Sequence, residues 1–182
     1  MVKFFIEDNK GGKNKMQENK IVKACNFYVS EWHLFAALLP YLKDELKKNN
    51  VIFFISQDDL KSKLKELVER INFQFENKNG IEEIKWLREE YFTNIKNEYM
   101  PMTIIIQGNY KFVEGINECI DYEKLNLYGE CKIINCYEIF DSNEMLHNIL
   151  EKHELVFNTG GFHEKREIFP DYSNEKISSK SS

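Results

Sequence analysis

Residues 24–55, ACNFYVSEWHLFAALLPYLKDELKKNNVIFFI, decide the reading of the fold. The run ACNFYV is apolar, aromatic and of strand length. Ser30 follows as a residue able to cap a helix, and Glu31 adds negative charge where the helix dipole is positive. Phe35, Leu38, Leu39, Leu42 and Leu46 recur at helical spacing and predict one buried stripe. Pro40 lies inside that stripe, and a kink is expected there because proline removes a backbone donor and crowds the preceding turn. VIFFIS is apolar without alternation, the pattern of a strand covered on both faces. Strand, tight turn, amphipathic helix and buried strand is how many nucleotide-binding α/β domains begin. Where such domains carry a glycine-rich turn, this chain has Val29-Ser30-Glu31-Trp32-His33.

The chain has eight glycines, and none has a partner five residues on, as a phosphate loop requires. Gly12-Lys13 is the one Gly-Lys pair, and no strand precedes it. No G-x-G-x-x-G occurs either. Glu31 would repel a phosphate from the helix end that ordinarily attracts one. Classical nucleotide hydrolysis is therefore not expected.

Outward from the opening stretch, QDDLKSKLKELVERI predicts a helix capped by Asp58 or Asp59, with Leu60, Leu64, Leu67, Val68 and Ile71 inward. NFQFE alternates like an edge strand, and NKNG closes it. A helix is expected over residues 81–97 with Ile84, Leu87, Tyr91 and Ile95 inward. The strand TIIIQ, ending at Gly108, comes next, followed by a helix over 109–128 on Val113, Ile116, Ile120 and Leu127. CKIINCY reads as a strand. DSNEMLHNILEKH reads as a helix capped by Asp141 or Ser142, with Glu144 completing a capping box. ELVFNTGG is the last expected strand and FHEKREIFP an irregular segment. This alternation predicts an α/β fold in three layers, a mainly parallel sheet with helices on both faces. Residues 1–20 are expected to be a loose arm or edge strand, 21–170 a single domain, and 171–182 a disordered tail.

At 182 residues, 42% hydrophobic, with 14 Phe and 9 Tyr, the chain can build one good core. A net charge of −5 and a pI near 5.5 argue against a nucleic-acid surface, since the basic residues are interleaved with acids along helices. No apolar run reaches the length of a membrane span, and MVKFFIEDNK lacks a signal-peptide core, so a cytoplasmic protein is expected. Cys25, Cys119, Cys131 and Cys136 match no metal-ligand spacing and read as free buried thiols. On a strand, Cys131 and Cys136 point to opposite faces. His33, His147, His153 and His163 are scattered and read as surface or capping residues, so no metal or cofactor is expected.

In a parallel sheet, ligands bind beyond the carboxyl ends of the strands. That rule selects YVSEW, SQDD, QGNY and YEIFD, and from them a candidate pocket of Tyr28, Glu31, Trp32, Gln57, Asn109, Tyr137 and Glu138. Tyrosine and tryptophan would supply contact area, while Glu31 and Glu138 would anchor a polar or cationic group. The plainer reading is that these residues only cap helices and close the top of the sheet.

Taken with IIIQGN, IDYEKLN and INCYEIFDSNEMLHNILEKHELVFNTGG, the opening stretch resembles the MEDS family, the methanogen and methylotroph sensory domain, over residues 21–169. The resemblance implies a RecA-like fold without a working phosphate loop, used as a sensory input module, with hydrocarbon derivatives suggested as ligands. It places Phe27 and Tyr28 on the family's first-strand aromatics, Tyr122, Glu123 and Asn126 on its YE..LN helix, and Tyr137 with His153 on its strand-end tyrosine and following histidine turn. Lys23, Asn109 and Glu138 depart from the histidine, acidic residue and aspartate usual there. Three readings follow: a sensory module that binds a small molecule and signals through a partner protein or a homodimer; an interaction module that has lost its ligand; and a degenerate nucleotide-binding enzyme in which Glu138 or Glu123 carries the chemistry.

Overall fold

The computed structural model describes residues 21–75, 80–87, 101–120, 130–139, 143–159 and 161–172. Ile21–Tyr28 forms β1 and Glu31–Lys47 forms α1, joined by the two-residue turn in which Ser30 Oγ accepts the His33 N–H at 3.3 Å. The five apolar residues of the expected stripe are all buried, and Leu34, Ala37 and Tyr41 widen it. Pro40 is accommodated within one continuous helix, on its exposed side. Val51–Ser56 is β2, and Leu60–Arg70 is α2, capped by Asp59 through Ser62 N. Leu60, Leu64 and Leu67 face inward, whereas Ile71 is 52% exposed because the helix has ended at Arg70.

The next segment corrects the expectation. Residues 72–75 form no strand; Phe73 and Phe75 pack edge to face beside the core instead. Residues 81–87 are not helical beyond a short 3-10 turn at Gly80–Glu83, and Lys85–Leu87 is a strand, β3, paired parallel to β2. Ile84 and Leu87 are spaced for a helix face. Trp86, stacked on Phe54 of β2 at 4.6 Å between centroids, favours the strand. Gly80 turns the chain at φ +47°, where a Cβ would press on the Phe75 ring at 3.1 Å. The rest of the expected helix, from residue 88, lies outside the described residues.

Met102–Gly108 is β4, buried at every position, and Tyr110–Cys119 is α3, with Val113, Ile116 and the following Ile120 in the core. Leu127, Tyr122, Glu123 and Asn126 lie outside the described residues, as do residues 1–20, 140–142 and 173–182. Cys131–Glu138 is β5, Asn143–Lys152 is α4, and Leu155–Asn158 is β6. The expected irregular segment is ordered: Gly161–Glu164 is an antiparallel edge strand, β7, and Lys165–Ile168 is a single helical turn, α5.

The seven strands lie in the order β3-β2-β4-β5-β1-β6-β7, parallel except for β7. Period-two alternation splits the core. Ala24, Tyr28, Phe54, Ile105, Ile134 and Cys136 meet α1 and α2 on one face. Cys25, Ile55, Ile104, Ile106, Ile133 and Tyr137 meet α3 and α4 on the other. This is a three-layer α/β fold. Cys131 and Cys136 fall in opposite clusters, as their spacing requires. Cys119 is exposed rather than buried. Among the described residues, no helix is long and apolar enough to cross a membrane.

Candidate functional site

Helix α1 leaves β1 on one face and α4 follows β5 on the other, so the crevice between these adjacent strands lies outside their carboxyl ends. Tyr28 pairs with Glu138 in register there, and Ile139 N donates to Tyr28 O at 2.9 Å. Tyr28 is buried. Gln107 Nε2 donates to its hydroxyl at 2.5 Å, and Ser56 Oγ donates to Gln107 Oε1 at 2.9 Å. Burial pushes the Tyr28 phenol well above its ordinary range, against the Gln107 hydrogen bond. A chain of neutral groups therefore ties β1, β4 and β2 together at their ends.

The remaining candidate residues do not converge on it. Gln57 Oε1 accepts the Asn109 N–H at 2.9 Å, and Asn109 Oδ1 caps α3 through Phe112 N at 2.9 Å. This bridge needs Gly108, where a Cβ would lie 2.8 Å from Gln57 Oε1 and 2.6 Å from the Phe112 ring. Glu31 pairs with Lys63 of α2. Trp32 is half exposed, with the Arg70 guanidinium 6.0 Å from its ring centre. Tyr137 points to the other face. Of the seven, Tyr28 and Glu138 adjoin in register and Gln57 meets Asn109. Glu31 and Trp32 sit on the first turn of α1, and Tyr137 lies apart. A cleft of about 560 Å³ opens beside them at the carboxyl ends of β2 and β3, with Gln57, Asp58 and Asp59 on its polar side and Trp86 and Leu87 on its apolar side. The Trp86 indole N–H is buried with no partner among the described residues.

Tyr137 belongs to a second constellation. Its ring stacks on Phe27 at 6.2 Å and meets His153 edge-on at 5.9 Å, so three residues selected by the family resemblance lie in contact. Its hydroxyl donates to Glu114 Oε1 at 2.9 Å, and Glu114 Oε2 is paired with Lys152. Burial raises the Tyr137 phenol strongly, and the Glu114 charge raises it further. Beside it, a cleft of about 340 Å³ runs between α3 and α4, floored by Asn135 and Lys23. His153 is buried rather than on the surface, and it does cap: its Nδ1 lies 2.6 Å from Ile149 O. Burial pushes its pKa down to about 4, so the ring is neutral near pH 7. Lys23 is also pushed down by burial, against the pull of Glu114 and Glu154.

A third polar cluster was missed entirely. Glu45, on the buried side of α1, accepts from Asn50 Nδ2 at 2.9 Å, from Lys48 Nζ at 3.1 Å and from Thr103 Oγ1 at 3.3 Å, with Lys132 Nζ at 3.6 Å. Burial works to raise its carboxyl, but these hydrogen bonds and the Lys132 charge outweigh that and hold it below the usual range. The signal was in the sequence: a carboxylate between Leu42 and Leu46 on an otherwise apolar stripe. Among the described residues, no three His, Cys, Asp or Glu side chains are grouped to hold a metal ion. No protein-family model, curated protein or solved structure matches the chain.

Proposed function

We propose that the chain is a non-catalytic sensory module of the MEDS type, recognising a small molecule at the carboxyl ends of its strands and signalling through a partner protein or a second copy. The observation that carries this reading is the cleft beyond β2 and β3. Its volume of about 560 Å³ lies in the range of small-molecule sites, and it combines an aromatic wall at Trp86 with polar anchors at Gln57, Asp58 and Asp59. An apolar body bearing a hydrogen-bond-donating or cationic head suits the two carboxylates, since Lys61 on the same lining is paired with Glu82. The Val29-Ser30-Glu31 turn supports a ligand other than a nucleotide, since Glu31 occupies the helix end a phosphate would need. Four buried thiol and phenol groups are unsuited to nucleophilic catalysis. Burial pushes the Cys25 and Cys131 thiols up to about 12 and the Tyr28 and Tyr137 phenols well up, which keeps all four protonated and poorly nucleophilic. A thermal-shift screen of metabolite classes tests the reading, because a ligand of the native state must raise Tm. Binding should also change Trp86 emission in a Trp32→Phe background. No rise in Tm with any class would overturn it.

One observation favours the interaction reading in its place. Among the described residues, four of the large exposed apolar side chains, Val29, Trp32, Ile139 and Met145, flank the carboxyl ends of β1 and β5. Light scattering of the wild type and a Trp32→Ser variant tests it; a concentration-independent monomer that captures no partner protein counts against it.

A further inference from the structure

The cleft beyond β2 and β3 carries negative charge that the lysines around it do not offset. Lys61, the one cation on its lining, lies 3.5 Å from Glu82, which also pairs with Lys65, and Lys63 is paired with Glu31. Asp58 and Asp59 form no ion pair among the described residues, and their carboxylates differ in what they already hold. Asp59 caps α2, its Oδ1 accepting the Ser62 N–H at 3.4 Å. Asp58 accepts from Ser56 Oγ and from Leu60 N through its backbone oxygen, which leaves its carboxylate without a hydrogen-bond donor among the described residues. Both residues are exposed, so a ligand can reach them. The N-terminus of α2 opposes their two charges with only about half a positive charge. Across from them, Trp86 and Leu87 make the wall apolar. Carboxylates alone suit a hydrated metal ion; an apolar wall beside them selects an organic cation. Trp86 is the one aromatic residue on the lining, and Phe54 stacks on it at 4.6 Å between centroids, so no aromatic cage of the kind that holds a quaternary ammonium is formed.

We infer that this cleft takes a primary ammonium ion with an apolar body, its N–H groups donating to the Asp58 carboxylate and to the Asp59 oxygen that the cap leaves open, its hydrocarbon part lying against Trp86 and Leu87. The inference rests on the reading of this cleft as the ligand site and narrows that reading to one charge and one headgroup. A ligand with a carboxylate, an amino acid included, would set its own charge against Asp58 and Asp59. A neutral alcohol would fill one lone pair and leave both charges uncompensated.

The experiment is a titration of the full chain carrying Trp32→Phe, read by the emission of Trp86 and by Tm. The probes are 2-phenylethylamine and cyclohexylmethylamine, each beside the corresponding alcohol, with 3-phenylpropionate as the anion and 2-phenylethyltrimethylammonium as the cation lacking N–H donors. At least one amine should change the emission and raise Tm. Its alcohol and the quaternary cation should bind about tenfold more weakly, the worth of a charge-assisted contact, and the carboxylate should give no response. Asp58→Asn leaves the Asp59 cap and the backbone contacts of Asp58 in place and should weaken amine binding by about tenfold. Asp58→Glu should restore most of it. Glu118→Gln, in the cleft between α3 and α4, should leave the response intact. Alcohols or the quaternary cation binding as tightly as the amines, amine binding unchanged in Asp58→Asn, or silence toward amines while another metabolite class raises Tm would overturn the inference and leave the cleft a ligand site. Silence toward every class removes the cleft reading with it.

Discussion

At the carboxyl end of the sheet, where ligands of parallel α/β domains usually sit, Tyr28, Gln107, Ser56, Gln57 and Asn109 satisfy one another through neutral hydrogen bonds. The polar groups toward the amino end are of another kind. Glu45 is a buried carboxylate ringed by Lys48, Lys132, Asn50 and Thr103 on one face, and Asn135 and His153 floor a charged cleft on the other. The difference shows what the strand-end rule depends on. It draws ligands to helix N-termini whose donors are open. Here each cap takes one of those donors, His33 N at Ser30 and Phe112 N at Asn109, and Glu31 adds negative charge to the first turn of α1. Between β1 and β4 the carboxyl end is thereby tied shut, and open polar space remains beyond β2 and in the cleft near the amino end.

Glu45→Ala should break the comparison most severely. It takes the acceptor from the Asn50 amide and from Lys48, leaves Thr103 only Tyr41 and Lys132 only Glu130 as partners, and opens a cavity under α1, which together cost about 3–5 kcal/mol. Urea unfolding at pH 7 measures the loss. His153 comes next. Its native pKa, about 4, lies below the ordinary 6.5. Between those values the unfolded chain binds a proton that the native state does not, so stability is full above the upper value and falls as pH drops toward the lower. The loss approaches 3 kcal/mol, at about 1.4 kcal/mol per unit. Stability curves at pH 7.5 and 4.5 check it, and His153→Gln should flatten the slope. At the other end, Gln107→Leu leaves the Tyr28 and Ser56 hydroxyls without their buried amide and should cost about 1–3 kcal/mol, with no pH dependence between 5 and 8.

Local signals carried most of the architecture. The cap at Ser30, the stripe from Phe35 to Leu46 and the opposed Cys131 and Cys136 each follow from periodicity along one element. What failed was non-local. Residues 85–87 become a strand because Trp86 lies against Phe54, more than thirty positions earlier, and no helical or strand period within seven residues encodes that contact. The candidate site failed in the same way. Tyr28 and Tyr137 are both strand-end tyrosines, but the register that puts Tyr28 opposite Glu138 sends Tyr137 to the other face. Asn135 and His153 were invisible as a pair because their hydrogen bond joins the middle of β5 to the end of α4.

The smallest effect is the most specific test of the contrast between the two ends. Ser30→Ala removes a cap whose hydrogen bond is long, at 3.3 Å, and exposed. It should cost about 0.5–1 kcal/mol, toward the low end of the range for helix caps. If the carboxyl end of β1 is only a structural closure, Ser30→Ala should lower Tm slightly and leave the ligand response at the cleft beyond β2 and β3 untouched. If the turn itself contacts a ligand, the variant should weaken a thermal-shift response by more than its stability loss accounts for. Because Ser30 caps α1 beside Glu31 and Trp32, measuring both quantities on this one variant separates closure from recognition.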